Sequence, residues 1–444
     1  MNLEARKVVV IGAGRTGQST ARFLSGRGAR VCLLDRRREA LDRLALPTQV
    51  ERRVDDGDDA PLRGADLVVP SPGVARTHAV LQRAAARGVP VMSEIELAYR
   101  FLPCPLLAVT GTNGKSTTTT LLGRMLEANG GPVFVGGNLG TPLIDAVQAE
   151  APCFQVAVAE ISSFQLEWVQ SFRPQIAVLL NLTPDHLDRY ADVSDYGMAK
   201  AALLARQQTG DIAVLNRDDP WVWEQRSRTR ATCISFGRDP VEFGGFLDGD
   251  TLVYWGPEPQ PRPFPLARVK LHGAHNRENM LAAVTAASIW GVPASIVQRV
   301  LEETEGLPHR LELVRERDGV RYYDDSKGTN VGAVIKSLES FPGKVVLLAG
   351  GYDKGGDFSA LRPLLRERAR LVVLFGAARA TIAKQIEGAA DSVEVPTLAA
   401  AVATAAQAAQ SGDTVLLSPG CASFDEFANY AERGRHFRAL VETL

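Results

Sequence analysis

Two glycine-rich stretches dominate the chemistry this chain can do. The first is VTGTNGKST, Val109 to Thr117. Gly114, Lys115 and Ser116 supply the end of a phosphate-binding loop, but the full G-x-x-x-x-G-K-[ST] pattern needs a glycine where Val109 stands. A shorter loop still works in principle. Gly111, Thr112, Asn113 and Gly114 can bend the backbone so that amides face phosphate, and a helix starting near Lys115 adds its positive end. Lys115 then neutralises the outer phosphates, while the Ser116 and Thr117 hydroxyls are suited to oxygen-loving Mg²⁺ and to phosphate. The second stretch is VVVIGAGRTG, Val8 to Gly17, with Asp35 about twenty residues on. That spacing mimics a dinucleotide fingerprint. A lone G-x-G-x-x-G is weak evidence, because a uridine diphosphate also needs a glycine turn and amide donors.

Carboxylates and amides follow at the ends of apolar runs. Glu160 follows FQVAV, Asn138 follows VFVGG, and NLTPDH, with His186, follows IAVLL. Ligands of open parallel sheets bind at the carboxyl ends of strands, so these residues are expected on one edge. Glu160 is the expected carboxylate ligand of Mg²⁺. Arginine is the default cation, 41 against 9 lysines, so persisting lysines draw notice: Lys115, Lys200, Lys327 and Lys354. In YGMAKAALLAR, Lys200 reads on spacing alone as a solvated charge on a helix.

The elements that must hold these residues are legible as short apolar runs separated by helical stretches. KVVVIG, RVCLLD, DLVVPSPG and VPVMSE come first, then LLAVTG, VFVGGN, FQVAVAEIS, IAVLLN and DIAVLN, and finally KVVLLAGG, RLVVLFG and TVLLSPG. This alternation predicts an α/β protein of three domains, each with a mostly parallel sheet flanked by helices. The two terminal domains are expected to be Rossmann-like and the central one P-loop-like. Boundaries are placed near FLPCP and TEGLPHR, giving 1–101, 102–305 and 306–444. Asp239 to Pro265 reads as a β-rich excursion, and Asn279 to Glu303 as a helical run.

Composition narrows the class. A length of 444 residues exceeds one core. A net charge of −1 leaves no electrostatic footprint for nucleic acid. Five cysteines without a C-x-x-C pair argue against a zinc knot and for a reducing cytosol. The N-terminal apolar run is strand-length and does not read as a signal peptide, and no stretch is long enough to span a membrane.

Taken with the later blocks, GTNGKST resembles the ATP loop of the Mur ligase family, the amide-bond ligases of peptidoglycan stem-peptide synthesis. AEISSFQLE, NLTPDHLDRY, HGAHNRENMLAA, LPHRLE, DDSKGTN, GGYDKGGDF and SPGCASFDEFANYAERG extend the resemblance along nearly the whole chain. The last three are most similar to the D-glutamate-adding branch. The resemblance implies ATP-dependent addition of D-glutamate to UDP-N-acetylmuramoyl-L-alanine through an acyl phosphate, in a cytoplasmic monomer without nucleic-acid or membrane partners. It implies UDP-substrate contacts at Arg15, Thr16, Asp35, Arg36, Gly73, Asn138 and Ser162, with Ser71 and Pro72 as a wall. It puts ATP on residues 111–117 and on Asn276, Asn279, Arg310 and Asp325. Two Mg²⁺ sites are implied at Ser116, Glu160, His186 and Lys200, the last matching a carbamylated lysine. D-Glutamate is implied at Thr329, Lys354, Ser423 and Tyr430; position 430 is often phenylalanine in the family. Asn276 also reads as a plain helix N-cap. The rivals are an NAD-dependent oxidoreductase, which leaves GTNGKST without a role, a nucleotide switch, which needs no amino-acid pocket, and a relative adding another amino acid or acting like a folylpolyglutamate synthase, against which the uridine-type first domain argues.

Overall fold

The computed structural model describes residues 1–148, 152–271 and 273–444; His272, which opens the HGAHN block, lies outside them. It forms two compact units. One comprises Met1–Asn181, Gly197–Ala267 and Asn279–Val300, the other Leu182–Tyr196, Arg268–Glu278 and Leu301–Leu444.

The first unit holds two sheets. Strands β1 (Lys7–Ile11), β2 (Arg30–Asp35), β3 (Glu51–Val54) and β4 (Leu67–Pro70) form a parallel sheet in the order β3-β2-β1-β4. The second sheet contains β5 (Leu106–Thr110), β6 (Val133–Gly137), β7 (Val156–Glu160), β8 (Ile176–Leu179), β9 (Ile212–Asn216), β10 (Thr232–Gly237), β11 (Gly244–Asp248), β12 (Thr251–Trp255) and β13 (Arg262–Pro265). Its order is β13-β12-β11-β10-β9-β8-β5-β7-β6. The β11–β12 and β12–β13 pairings are antiparallel, so the β-rich excursion is a meander added to a parallel sheet. One apolar cluster runs from Val8, Val10 and Phe23 through Ile144 and Phe172 to Leu204, so both sheets share a core.

The second unit holds β14 (Glu312–Arg317), β15 (Val320–Asp324), β16 (Val345–Gly350), β17 (Ala369–Phe375), β18 (Ser392–Glu394) and β19 (Thr414–Gly420), in the order β14-β15-β19-β16-β17-β18. Val345 and Leu347 face one core cluster, while Val346 and Leu348 face another. Helices therefore cover both sides, which is why the strand reads as an unbroken apolar run.

The α/β class and its three sheets agree with the sequence reading. Details differ. VPVM makes only an isolated bridge, Val91 to Val68, because Pro90 has no N–H to extend a ladder. The helical run is two helices, Ala274–Trp290 and Ala294–Glu303. The helix starts at Ala274, so Asn276 lies in its first turn and not at its N-cap. Among the described residues, no helix is long and apolar enough to cross a membrane.

Candidate active site

Neighbouring parallel strands β6, β7, β5 and β8 end side by side and deliver the candidate groups of the first unit. After β5 the chain turns through Gly111 and Gly114 into the helix Lys115–Ala128. Gly114 has φ +85° and no room for a side chain: a Cβ there would fall on the Asn279 side chain. Only glycine meets both demands cheaply. Lys115 folds back over this loop, its Nζ donating to the carbonyls of Gly111 (2.9 Å) and Thr112 (2.8 Å). Ser116 and Thr117 are buried in the first turn of the helix.

Lys200 is not a solvated helix charge. It is 1% exposed, and its Nζ donates to the Gly111 carbonyl at 2.8 Å. Two lysines thus meet at one carbonyl of the phosphate loop. Glu160, at the end of β7, is 2% exposed and accepts from Asn138 Nδ2 at 2.7 Å. The candidate metal carboxylate and the candidate substrate amide are therefore in contact. Ser162 caps the short helix Ser163–Leu166 through a reciprocal capping box with Gln165.

The glycine loop of the first sheet ends at the helix Arg15–Gly26. Asp35, Arg36 and Gly73 line a cleft of about 730 Å³ together with Gly12, Asp55 and His78. Asp35 Oδ2 accepts from the Ala13 amide at 2.8 Å. Burial raises the Asp35 carboxyl pKa, but the Ala13 and Arg37 amides and the Arg37 charge outweigh it and hold the group below its ordinary value. Arg15 and Thr16 are not part of that lining; Arg15 instead donates to the Gly140 carbonyl at 2.7 Å, in the loop that carries Asn138.

In the second unit the edge of β15, β19 and β16 gathers Thr329, Lys354, Ser423 and Tyr430. Hydrogen bonds tie its loops together: Gly420 N to Gly328 O at 2.8 Å, and Tyr352 N to Ala422 O at 2.8 Å. Lys354 Nζ lies 2.5 Å from Asp185 Oδ1, and Asn330 Nδ2 donates to the other oxygen at 3.0 Å. Burial pushes the Asp185 carboxyl up, yet Lys354, His186 and Asn330 bring it below the ordinary value. His186 adopts φ +57°, an uncommon backbone for a non-glycine residue, and packs against Tyr196. Asp325 is fully buried, accepts from Ser337 (2.7 Å) and Ser418 (2.8 Å), and is pushed up to about 6 chiefly by burial. Tyr430 stacks under Lys327 Nζ, 3.9 Å from the ring centre. Arg310, just ahead of β14, is half-buried.

Three structural residues escaped the sequence reading. Asn181 holds the phosphate loop: its carbonyl and Oδ1 accept from the Thr112 (2.9 Å) and Asn113 (2.8 Å) amides. Asp185 holds Lys354. Arg433, 1% exposed, donates to the carbonyls of Ser326, Cys421 and Ala422 and so ties two loops. Asn181 and Asp185 both lie in NLTPDH, but their partners are 68 and 169 residues away.

Comparison with known proteins matches this layout over three stretches. Residues 6–93 match the Mur ligase MurD-like N-terminal domain, 109–287 the Mur ligase middle domain, and 309–421 the Mur ligase glutamate ligase domain. The chain belongs to the Mur ligase family. A UDP-N-acetylmuramoylalanine–D-glutamate ligase of Geobacter metallireducens is 45% identical, covering 100% of this chain and 99% of that protein. The enzyme of the same name from Syntrophotalea carbinolica is 46% identical, covering 99% and 98%. Among solved structures, a UDP-N-acetylmuramate–alanine ligase of Thermotoga maritima superposes with TM-score 0.63 at 18% identity, covering 98% of this chain and 99% of that one. A MurF ligase of Thermotoga maritima in complex with ADP gives 0.59 at 19% identity, covering 87% and 91%. Other Mur ligases thus share the fold of this chain.

Proposed function

We propose that this chain joins D-glutamate to the L-alanyl carboxyl of UDP-N-acetylmuramoyl-L-alanine, converting ATP to ADP and phosphate, in the making of peptidoglycan precursors. The observation that carries the reading is full-length similarity, at 43–46% identity, to relatives named for that reaction. Each reactant has candidate residues on this one chain, so we assign the reaction to a monomer. Its cysteines are unpaired, in keeping with the cytoplasm.

In this reading the N-terminal part, 1–101, holds the uridine diphosphate in the Asp35–Arg36–Gly73 cleft, with Arg15 and Thr16 at the glycine turn and Asn138 and Ser162 toward the muramoyl peptide. The central part, 102–305, holds ATP phosphates from Gly111 to Thr117. Within that loop Asn181 accepts from the Thr112 and Asn113 amides and holds its shape, and the helix end from Gly114 onward offers amides to phosphate. Asn276 and Asn279 serve the adenine, and Arg310 and Asp325 the ribose region. The C-terminal part, 306–444, holds D-glutamate by Thr329, Lys354, Ser423 and Tyr430. Lys354, now on Asp185, is a point charge suited to a substrate carboxylate.

The chemistry follows from charge. The L-alanyl carboxylate attacks the γ-phosphorus of ATP and ADP departs. Two anions meet in that step, and the Lys115 ammonium offsets their repulsion. The acyl phosphate then has a good leaving group where the carboxylate had none. The neutral amine of D-glutamate attacks its carbonyl, loses a proton, and expels phosphate. Ser116 and Glu160 offer a hydroxyl and a carboxylate, the oxygen donors Mg²⁺ prefers, and we assign them to it, with His186 and Lys200 at a second position. When bound, Mg²⁺ supplies further positive charge to the phosphate oxygens. Lys200 suits that role once carbamylated, since carbamylation turns a buried cation into an anionic oxygen donor.

The test is phosphate release with Mg²⁺-ATP and UDP-N-acetylmuramoyl-L-alanine, comparing D-glutamate, L-glutamate, L-alanine and no amino acid. Release with D-glutamate alone, falling at least about 100-fold in Lys115→Ala, is expected. Release with a different amino acid moves the chain within its family, and no release with any overturns the reading.

A further inference from the structure

The two ends of the UDP substrate are assigned to different sheets of the first unit, and two arginines tie the loops of one sheet to those of the other. Arg15 opens the helix Arg15–Gly26 after the glycine turn of the first sheet. Its guanidinium donates to the Gly140 carbonyl at 2.7 Å, in the loop that follows β6 of the second sheet. That loop is a tight turn. The Gly137 amide donates to the Thr141 carbonyl at 2.7 Å, and Gly140 has φ +64°. The Asn138 amide donates to the Glu160 carbonyl at 2.8 Å, and its side chain to the Glu160 carboxylate at 2.7 Å. Glu160 therefore holds one side of the turn and Arg15 the other. Four residues beyond Arg15, on the same face of the helix, Ser19 Oγ donates to Asp145 Oδ2 at 3.1 Å. The Ser19 carbonyl accepts from Gln148 Nε2 at 3.0 Å. The helix thus pins the segment from Asn138 to Gln148 at two points.

Arg76 makes the second tie. It lies in the wall that follows Gly73, between Ala75 and Thr77 of the uridine cleft. Its Nε is 3.5 Å from Oε2 of Glu167, whose side chain is fully buried. The Arg76 carbonyl accepts from Gln82 Nε2 at 2.9 Å, which fixes the wall to the helix Ala79–Ala86. Glu167 directly follows the helix Ser163–Leu166 that Ser162 caps. The next residue, Trp168, packs against the Val9, Val68 and Val80 cluster of the first sheet. The loops of Asn138 and of Ser162 are thus both held from the sheet that carries the uridine cleft.

We propose that Arg15 and Arg76 are positioning residues for UDP-N-acetylmuramoyl-L-alanine, two straps that fix the span from the uridine cleft to the Asn138 and Ser162 loops. This rests on the function proposed above. The substrate is long and is read at both ends, so the separation of the loops decides whether both ends fit at once. UDP alone meets only one end. A span fixed in advance avoids an ordering cost when the whole substrate binds. Arginine suits the task, because its stem reaches far and its planar, always charged head holds a carbonyl or a carboxylate while staying in water. The rival is direct contact of the same guanidinium groups with the diphosphate, which weakens UDP and the whole substrate alike.

The test compares wild type with Arg15→Met, Arg15→Lys, Arg76→Met and the double variant Arg15→Met/Arg76→Met. Kd for UDP-N-acetylmuramoyl-L-alanine and for UDP is measured by calorimetry, and KM for each substrate by phosphate release. Each methionine variant is expected to raise Kd and KM for the UDP substrate about three- to fivefold, the scale of one exposed charged contact. The double variant should raise them at least about tenfold. Kd for UDP, and KM for ATP and for D-glutamate, should stay within about twofold. Arg15→Lys, which keeps a charged donor, should lie between Arg15→Met and wild type. Arg15 and Arg76 are both exposed, so melting temperatures should stay within about 2 °C. An equal loss of UDP affinity makes the arginines nucleotide contacts and overturns the proposal alone. So does a wild-type Kd for the whole substrate in the double variant, or a uniform rise in all three KM values. Failure of wild type to bind and turn over UDP-N-acetylmuramoyl-L-alanine overturns the function reading and this inference with it.

Discussion

Lys200 shows how far a single side chain can depart from its local context. YGMAK reads as an exposed helical stretch, and nothing within several residues marks the lysine as special. The structure buries it against the Gly111 carbonyl, a partner 89 residues away. Carbamylation would replace this buried ammonium by an anionic carbamate, whose oxygens suit Mg²⁺. Protein equilibrated with ¹³C-bicarbonate is therefore expected to give a carbamate carbon resonance that is absent in Lys200→Ala. An identical spectrum in the variant refutes carbamylation at this residue. Lys354 is the parallel case in the second unit. Its ammonium rests on Asp185, so a substrate carboxylate must compete for it. Lys354→Ala should raise KM for D-glutamate at least about tenfold, the scale of a lost charge-assisted bond, with KM for ATP nearly unchanged. A change in the ATP constant of equal size would remove Lys354 from the amino-acid pocket. Lys115, Ser116 and Glu160 stand out as candidates in the sequence because glycines and strand ends lie beside them. Asn181 and Asp185 do not, because each works on backbone or charge that only the fold brings near.

At the scale of elements, the parallel strands were readable because helices bury both their faces, so each is an unbroken run such as KVVLLAG. The antiparallel strands β14 and β15 were missed for the complementary reason. β14 keeps exposed or half-buried Arg315, Glu316 and Arg317, and a strand with a wet face shows no such run. β3, whose Glu51 and Arg52 are exposed at the sheet's edge, was missed likewise. The phosphate loop illustrates how one element constrains another. Gly114 is fixed both by its positive φ and by the Asn279 side chain packed where a Cβ would be. Gly114→Ala must strain the loop or displace Asn279. It should raise KM for ATP at least about tenfold and cost about 1 kcal/mol or more of stability, since alanine at positive φ is itself unfavourable. Wild-type ATP affinity in this variant would show that neither the turn nor the Asn279 contact shapes the nucleotide loop.

At the scale of the whole molecule, two buried carboxyls with raised pKa values lie in different compact units. Glu94 moves from 4.5 to about 7 and Asp325 from 3.8 to about 6, burial being the first cause of each. The folded state binds these protons more tightly than the unfolded chain does. Each contribution to stability is therefore complete below the unfolded value and is lost as the pH rises through the folded one. Across pH 5 to 8 the loss is about 3 kcal/mol for Glu94, whose folded value lies about two units above pH 5, and about 1.4 kcal/mol for Asp325, about one unit above, at about 1.4 kcal/mol per unit. Because Glu94 and Asp325 sit in separate units, the two losses need not appear in one transition. Thermal melts at pH 5.5 and 8.5 should show Glu94→Gln gaining on wild type as the pH rises, by about 5 °C or more in the transition of the first unit. Asp325→Asn should shift the second unit in the same direction by less, its folded value being only about 6, and leave the first unmoved. Melting curves of Glu94→Gln that run parallel to wild type at both pH values would mean that Glu94 carries the same proton in the folded and unfolded chain.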